Sequence, residues 1–252
     1  MNIKKIGVFT SGGDSPGMNA CIRSVVRTAL YNNVKVSGIR RGYQGMIEDE
    51  FVPLTSRSVS NILQRGGTFL ASARSKEFLT EEGRRKAYDN LVKHDISALV
   101  AIGGDGTFRG AIEFNKSYPD IKIIGIPGTI DNDTYGTDYT LGFDTAVNTV
   151  IDAVDKIRDT ANSHHRLFFI EVMGRSSGWI AIYTGLAGGA EAVLLPEQKD
   201  SVAALIHKLQ GGAKKGKSSS IVVVSEGEEI GNAMEIARQV KEKFDFYDVR
   251  VT

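Results

Sequence analysis

The chain has 252 residues, of which 41% are hydrophobic and 24% charged, so it is long enough to bury a large core and to form two lobes. Its net charge of +1 argues against binding to nucleic acid or to a membrane surface through bulk electrostatics. Its single cysteine rules out an internal disulfide, and no apolar run approaches the roughly 20 residues of a membrane span, so we expect a cytoplasmic protein.

Short apolar runs rich in β-branched residues recur along the chain, with helical patterns between most of them. Because strands that alternate with helices form parallel sheets covered by helices, this pattern predicts an α/β architecture. In chain order, the predicted strands are residues 6–9, 34–39, 98–102, 121–126, 167–173, 192–195, 221–224 and 249–251.

Two amphipathic helices can be predicted in detail. The first follows Pro16-Gly17 and places Arg23 and Arg27 on the face opposite its apolar residues. The second spans about Asp144 to Thr160. Since the sequence contains no low-complexity linker, we expect the boundary between two lobes near Asp138 to Leu141. The apolar faces comprise Met18, Ile22, Val25, Val26 and Ala29 in the first helix, and Val147, Val150, Ile151, Val154 and Ile157 in the second.

Two Gly-rich turns follow predicted strands. Ser11 to Gly17 leads through paired glycines into a helix N-terminus, and Gly103 to Thr107 repeats this design. Unobstructed backbone N–H groups and a helix dipole together bind anions such as phosphate, although either turn could be purely structural. Asp105 lies inside the second turn, where its carboxylate would either hold Mg²⁺ or cap the following helix.

A third predicted strand runs into Gly128-Thr129-Ile130-Asp131-Asn132-Asp133, which places two carboxylates two residues apart. Phosphoryl transfer to an alcohol needs a base for the hydroxyl proton, and a metal and cations that neutralise charge. Asp131 and Asp133 could supply the base and a metal contact, or they could belong to an Asx-rich turn. Arg74 and Arg175 are candidates for the cations, with a solvated surface role as the alternative.

The segment from Gly211 to Ser218 matches the Walker A pattern literally. That motif binds phosphate only after a strand and before a helix, whereas here a helical stretch from Val202 to Leu209 precedes it and the strand at 221–224 follows it. We therefore reject a P-loop and predict a basic helix-to-strand loop that is either solvated or binds an anion.

Taken together, a set of motifs spread over essentially the whole chain resembles the bacterial ATP-dependent 6-phosphofructokinase family. The resemblance implies the phosphofructokinase fold, with two Rossmann-like α/β lobes, parallel-rich sheets flanked by helices, and an active site between the lobes. Residues 1–138 would form the ATP-binding lobe and residues 139–252 the lobe that binds fructose 6-phosphate. The motifs are Ser11 to Asn19, Arg65 to Arg74, Gly103 to Thr107, Pro127 to Asp133, Gly136 to Thr140, Met173 to Arg175, and Glu226.

The resemblance also implies a reaction and its residues. A glycolytic kinase of this family phosphorylates the 1-hydroxyl of fructose 6-phosphate with ATP and Mg²⁺, and it assembles as a homotetramer. Asp131 would take the hydroxyl proton, Asp133 would lie by the metal and phosphates, and Thr129, Arg74 and Arg175 would complete the catalytic set. The ATP site would comprise Gly13, Arg74, Ser75, Gly104, Asp105, Gly106 and Thr107, with Asp105 on Mg²⁺. The sugar-phosphate site would comprise Thr129, Ile130, Asp131, Met173, Gly174, Arg175 and Glu226, with Arg166 and Arg250 reaching in from a neighbouring subunit.

Pyrophosphate-dependent members of the family carry Asp where Gly106 stands and Lys where Gly128 stands, so glycine at both positions favours ATP.

The resemblance further implies an allosteric site for ADP or phosphoenolpyruvate, which includes part of the segment that matches the Walker A pattern. Its residues would be Arg23, Arg27, Arg158, Gly189, Ala190, Glu191, Lys215 and Lys217. The chain departs from the family at Ser56, Asn61, Ser218 and Ser219, where charged residues are usual.

Chains of this family continue beyond Thr252 with a segment that grips the 6-phosphate, so we expect this chain to be a truncated piece. The sequence leaves three alternatives open. They are a pyrophosphate-dependent phosphofructokinase, a non-catalytic fragment that binds a nucleotide or effector, and an NAD or lipid kinase that shares the Gly-Gly-Asp-Gly-Thr turn.

Overall fold

The computed structural model describes residues 3–163, 165–198, 201–227, 231–244 and 246–252. The chain divides into two compact units. Unit 1 comprises Met1–Thr129 and Thr134–Gly142, and unit 2 comprises Ile130–Asp133 and Phe143–Thr252. The chain therefore passes from one unit into the other within residues 128–133, the segment that carries the two predicted carboxylates.

Unit 1 is an α/β unit built on one mostly parallel sheet. Its strands are β1 (Lys5–Thr10), β2 (Lys35–Ile39), β3 (Phe51–Leu54), β4 (Ala98–Gly103), β5 (Lys122–Thr129) and β6 (Leu141–Gly142). Its helices are α1 (Met18–Tyr31), α2 (Gly42–Ile47), α3 (Glu81–Lys93) and α4 (Asp105–Ser117), with a short 3-10 helix at Glu77–Leu79. The strand order is β3-β2-β1-β4-β5-β6, and of the pairings described, only β2 with β3 is antiparallel.

The strands β1, β2 and β4 are largely buried on both faces, as expected for parallel strands covered by helices, whereas β5 is largely exposed, with Ile124 65% exposed. Because successive side chains of a strand point to opposite faces, Val8 packs in the cluster that includes Met18, whereas Phe9 packs in the cluster that includes Phe114. Cys21 packs against the first cluster. Burial raises the pKa of its thiol to about 11, consistent with a predicted place among apolar neighbours on α1.

Unit 2 is built in the same way. Its strands are β7 (Arg166–Val172), β8 (Ala192–Leu194), β9 (Ser220–Ser225) and β10 (Asp248–Val251), and its helices are α5 (Phe143–Ser163), α6 (Trp179–Ala187), α7 (Val202–Lys214) and α8 (Ala233–Lys243). The described strands lie in the order β10-β7-β9-β8 and pair in parallel. Among the described residues, no helix combines the length and hydropathy that a membrane crossing requires.

The predicted α/β architecture is confirmed, and each predicted strand overlaps an observed one. Two strands lack the expected apolar pattern. β3 contains Pro53, which is tolerated because the strand lies at the sheet edge. β6 is only two residues long and pairs with Gly128 and Thr129 at the end of β5.

The predicted loop from Gly211 to Ser218 is shorter than expected. α7 continues past Leu209 to Lys214, so the first half of the segment is helical. Gly212 is buried inside this last turn, where an added Cβ would already lie 3.4 Å from the Lys217 side chain. The order of helix α7 followed by strand β9 is observed, which agrees with the rejection of a P-loop.

Candidate functional site

The carboxyl ends of three neighbouring strands gather the predicted residues of unit 1. β1, β4 and β5 are parallel neighbours, so their carboxyl ends lie at one edge of the sheet. The turn at residues 11–17 follows β1, the turn at 104–107 follows β4, and Thr129 ends β5. Ligands of open α/β sheets bind at this edge, so the structure brings these predicted site residues of unit 1 together.

The two Gly-rich turns are bonded directly to each other. The Thr107 hydroxyl donates to the backbone oxygen of Ser11 at 3.0 Å, and the Ser11 N–H donates to the oxygen of Ile102 at 3.0 Å. A Cβ at Gly103 would lie 2.4 Å from Thr107 Oγ1 and 2.5 Å from the Ser11 oxygen. Only glycine fits at position 103, since real Cβ atoms do not approach this closely.

Asp105 opens helix α4 without capping it. The N-cap residue is Gly104, which makes no side-chain cap, and Asp105 is the first helical residue. Its carboxylate pairs instead with Arg109 one turn later, at 2.8 Å. Of the two uses predicted for this carboxylate, helix capping is therefore wrong, because the helix begins one residue earlier than a capping role requires. The carboxylate stays on the exposed surface near the turns.

A buried tyrosine, Tyr43, contacts the first turn of helix α4. The Tyr43 hydroxyl donates to the backbone oxygen of Thr107 at 2.7 Å, and its ring stacks on Phe78 at 4.0 Å. Burial raises the pKa of Tyr43, so its hydroxyl remains a donor. No sequence pattern indicates this residue, because a tyrosine outside any motif carries no signal of such a contact.

The glycines at this edge differ in how much room they leave for an added side chain. An added Cβ at Gly106 or at Gly13 would meet nothing within 4 Å, so both face open space. Gly128 is buried, and its Cβ would lie 3.1 Å from Ile102 Cγ2 and 3.3 Å from Met18 Cε. A Cβ is therefore accommodated freely at position 106, whereas at position 128 the neighbouring side chains would have to shift by a few tenths of an ångström.

Arg74 and Ser75 follow the loop at residues 65–71. Ser75 Oγ accepts a hydrogen bond from the N–H of Phe78, in the short 3-10 helix, at 3.1 Å. Arg74 is exposed, and within the described parts of the chain it forms no ion pair. Its guanidinium is thus available to an anion, and its role as a phosphoryl-binding cation stays a prediction.

Unit 2 holds the predicted base beside the second predicted arginine. Asp131 is 8% exposed, and its Oδ2 lies 3.7 Å from Arg175 Nε. The Ser177 hydroxyl donates to the Asp131 backbone oxygen at 2.8 Å and holds the segment in place. Asp133, by contrast, is exposed. The two carboxylates therefore have different environments, which fits different roles better than a shared turn motif.

Arg175 lies in a strained turn after β7. Its φ of 54° is left-handed, which costs a non-glycine residue roughly 1–2 kcal/mol. Glu226, after β9, accepts hydrogen bonds from the N–H groups of Gly174 and Arg175 at 3.4 Å each. Gly174, with φ 149°, leaves no room for a Cβ, which would lie 2.3 Å from the Ser177 oxygen. The ends of β7 and β9 thus fix the Arg175 backbone next to Asp131, with the exposed Met173 beside them.

A family model for phosphofructokinase matches residues 5–252. The chain belongs to the phosphofructokinase family. ATP-dependent 6-phosphofructokinase 1 of Thermus thermophilus is 58% identical over 250 residues, which cover 99% of this chain and 77% of that protein. ATP-dependent 6-phosphofructokinase 2 of Bacteroides thetaiotaomicron is 55% identical over 250 residues, with 99% and 76% covered. The solved structure of phosphofructokinase from Saccharomyces cerevisiae is 36% identical, with a TM-score of 0.93, and the match covers 99% of this chain and 37% of that one. The predicted membership and the predicted phosphofructokinase fold are confirmed.

The two arginines that the family resemblance assigned to a neighbouring subunit's site share one carboxylate. Asp248 Oδ2 accepts from Arg250 Nη2 at 2.8 Å and from Arg166 Nε at 3.3 Å. Arg166 also donates to the Thr160 hydroxyl at 3.1 Å. Because Asp248 and Arg166 are directly paired across β10 and β7, the strand register itself assembles this cluster.

The predicted effector residues are distributed over both units. A cavity of about 210 Å³ in unit 2 is lined by Arg158, Ala161, Gly189, Glu191, Lys217, Ser219, Ser220 and Ile221. Lys217 pairs with Glu191, and Arg158 donates to the Gly188 oxygen. Ala190 and Lys215 do not line this cavity, and Arg23 and Arg27 belong to unit 1. Of the residues that line this cavity, Ala161, Ser220 and Ile221 were not predicted, and Ser219 was named only as a departure from the family.

Proposed function

We propose that this chain is an ATP-dependent 6-phosphofructokinase, which converts ATP and fructose 6-phosphate into ADP and fructose 1,6-bisphosphate in glycolysis. The observation that carries the proposal is the course of residues 128–133. This segment ends β5 at the Gly-rich edge of unit 1 and continues into unit 2, where Asp131 lies 3.7 Å from Arg175. The names and identities of the relatives support this function over a non-catalytic or unrelated kinase role.

In this proposal the edge of unit 1 binds the nucleotide. Gly13, in the turn before helix α1, and Gly106, in the first turn of helix α4, face open space where N–H groups and helix dipoles favour phosphate. Ser75 completes the site beside Arg74. Residues 1–138 would form the ATP-binding lobe and residues 139–252 the sugar-phosphate lobe.

A phosphofructokinase requires a divalent metal, and we propose Mg²⁺ with Asp105 as its protein contact. The described residues contain no group of three or more ligating side chains. Mg²⁺ is commonly held by one or two carboxylates together with substrate phosphates and water, so a single carboxylate at the nucleotide edge fits. When bound, the metal neutralises phosphate charge. To bind the metal, Asp105 would give up its exposed ion pair with Arg109. As a surface pair, this ion pair contributes only about 0.3–0.5 kcal/mol to stability.

The chemical step follows from Asp131 and the two arginines. Asp131 accepts the proton of the sugar 1-hydroxyl, and that oxygen forms a bond to the γ-phosphorus of ATP. The bond between the γ-phosphorus and the β,γ-bridging oxygen breaks, and its electron pair leaves with ADP. Arg74 and Arg175 neutralise the negative charge of the transferring group. Asp133 would lie near the metal and the phosphates.

The sugar phosphate would be held largely by unit 2. Thr129, Ile130, Asp131, Met173 to Arg175 and Glu226 would contact it, with Glu226 also fixing the Arg175 backbone. Arg166 and Arg250 would reach the site of a neighbouring subunit, so each active site would be complete only in the homotetramer.

The 210 Å³ cavity, with Arg158, Glu191 and Lys217, would bind an anionic effector such as ADP or phosphoenolpyruvate. The effector site would be completed by Arg23, Arg27, Gly189, Ala190 and Lys215. A cytoplasmic location remains a prediction.

Donor choice rests on Gly106 and Gly128. Open space at position 106 leaves room for the α-phosphate of ATP. An acidic side chain there would occupy that space and repel the phosphate. At position 128 an added Cβ would lie 3.1 Å from Ile102 Cγ2 and 3.3 Å from Met18 Cε, so the lysine of pyrophosphate-dependent members would require these side chains to shift.

A coupled assay with ATP or pyrophosphate as donor tests the proposal. The wild-type protein should prefer ATP, and Gly106→Asp should lower kcat/KM for ATP on the order of 100-fold, about 2.7 kcal/mol. Gly211→Asp is a matched control, because a Cβ there also meets nothing within 4 Å. It should leave donor preference unchanged. Faster turnover with pyrophosphate than with ATP would contradict the proposal.

A further inference from the structure

The loop at residues 65–71 is held in place by a buried asparagine on α1. Asn19 is 2% exposed. Its Nδ2 donates to the backbone oxygens of Arg65 at 3.0 Å and Gly66 at 3.3 Å, and its Oδ1 accepts from the Phe69 N–H at 2.6 Å. One side chain thus satisfies three backbone groups of a single loop, and these groups would otherwise be left unpaired in a part-buried place.

A second buried side chain holds the far end of the same loop. Thr10, at the end of β1, is fully buried. Its hydroxyl lies 2.8 Å from Thr68 Oγ1 and donates to the Ala71 oxygen at 2.9 Å. Asn19 and Thr10 flank the first Gly-rich turn on either side. The loop is therefore bonded to both ends of the element that forms the proposed nucleotide site.

Packing alone does not define the position of the loop. A cavity of about 430 Å³ lies against it, lined by Asn19, Arg65, Gly66, Thr68 and Phe69. On that side the loop lacks the close contacts that hold a core segment. Leu70, which is fully buried, anchors the other side. On the cavity side the hydrogen bonds of Asn19 hold the loop. Thr10, together with the Arg41 N–H, which donates to the Leu70 oxygen at 2.9 Å, holds its far end.

Arg74 follows this loop by three residues and has no ion pair of its own among the described residues. We propose that Asn19, assisted by Thr10, is a positioning residue for Arg74, and that it aligns this guanidinium by fixing the 65–71 loop. The inference rests on the proposed function, in which Arg74 neutralises the transferring phosphoryl group. Misplacement of such a group by about 1 Å can cost on the order of 100-fold in rate.

A double-mutant cycle separates positioning from general stability. Asn19→Ala should lower kcat by roughly 10- to 100-fold with a much smaller change in the KM for fructose 6-phosphate. In an Arg74→Ala background the same change should cost little further turnover, because the residue through which Asn19 acts is already absent. Asn90→Ala is the matched control. Asn90 also donates through one amide to two backbone oxygens, those of Met46 and Ile47 at 3.0 and 2.9 Å.

The control should lower stability without lowering kcat in either background. If Asn19→Ala does not fold, Thr10→Val provides the same cycle, and Thr10→Ser, which keeps the hydroxyl, should recover most of the lost turnover. Additive losses for Asn19 or Thr10 with Arg74 would overturn the inference while leaving the proposed function intact. Full turnover of Arg74→Ala alone would instead count against the role of Arg74 in the proposed function.

Discussion

Asp248 shows how one residue can organise charges that the sequence presents separately. Arg166 and Arg250 are 84 positions apart along the chain, yet both donate to the same carboxylate oxygen. Hydrogen bonds from Arg250, followed by those from Arg166, lower the pKa of Asp248. The cluster therefore keeps a carboxylate ionised between two cations.

This lowered pKa predicts a definite pH dependence. A carboxylate whose folded pKa lies below its unfolded value stabilises the fold above the unfolded value, and this contribution is lost as pH falls through the folded pKa. We expect Arg250→Ala to raise the pKa of Asp248 more than Arg166→Ala does, as measured by carboxyl-carbon NMR titration at acidic pH. Arg238→Ala, on the exposed face of α8, serves as the control. Equal pKa values in all four proteins would show that the pairing seen here is absent in solution.

Candidate site residues can be proposed from the sequence more readily than the contacts that hold them in place. Asp131, Arg175 and Asp105 were predicted because carboxylates and arginines at strand ends suit phosphoryl transfer. The Asp105–Arg109 pair and the contact of Tyr43 with Thr107 depend on helix start and tertiary packing. The Asp105–Arg109 pair has the i,i+4 spacing of a local helix pattern. No local pattern encodes the contact of Tyr43 with Thr107, so only the structure could supply that contact.

At the scale of elements, Gly103 joins β4 to the second Gly-rich turn. We expect Gly103→Ala to lower the free energy of unfolding by about 2 kcal/mol or more, because the added Cβ would meet Thr107 Oγ1 at 2.4 Å. Gly13→Ala, where an added Cβ meets nothing within 4 Å, should change it by less than about 0.5 kcal/mol. Urea unfolding of the two variants measures the difference. Equal stabilities would mean that the turns are not packed as described.

The elements themselves were largely predictable from hydrophobic periodicity. Buried parallel strands read as continuous apolar runs, and α1 and α5 show clear apolar faces. β3 and β6 could not be predicted, since Pro53 and a length of two residues hide the strand pattern. The end of α7 was also misjudged, because glycines at 211 and 212 usually indicate a helix stop.

At the scale of the whole molecule, the proposed sharing of sites between subunits predicts complementation. Asp131→Ala and Arg250→Ala should each be nearly inactive as pure oligomers. When the two proteins are mixed, dissociated and reassembled, roughly one site in four would combine an intact Asp131 with an intact neighbouring Arg250. A coupled assay should then detect recovered turnover. Recovery absent from reassembled mixtures would place Arg250 outside a shared site.

The most direct test of the whole account is the turnover of Asp131→Asn with ATP and fructose 6-phosphate. The amide keeps the shape of the side chain and leaves the Ser177 bond to the backbone oxygen in place, but it cannot accept the hydroxyl proton. We expect kcat to fall by roughly 10²- to 10⁴-fold, with stability unchanged and with Asp120→Asn, an exposed carboxylate bonded to Tyr88, fully active. Turnover above half the wild-type value in Asp131→Asn would contradict the assignment of Asp131 as the base.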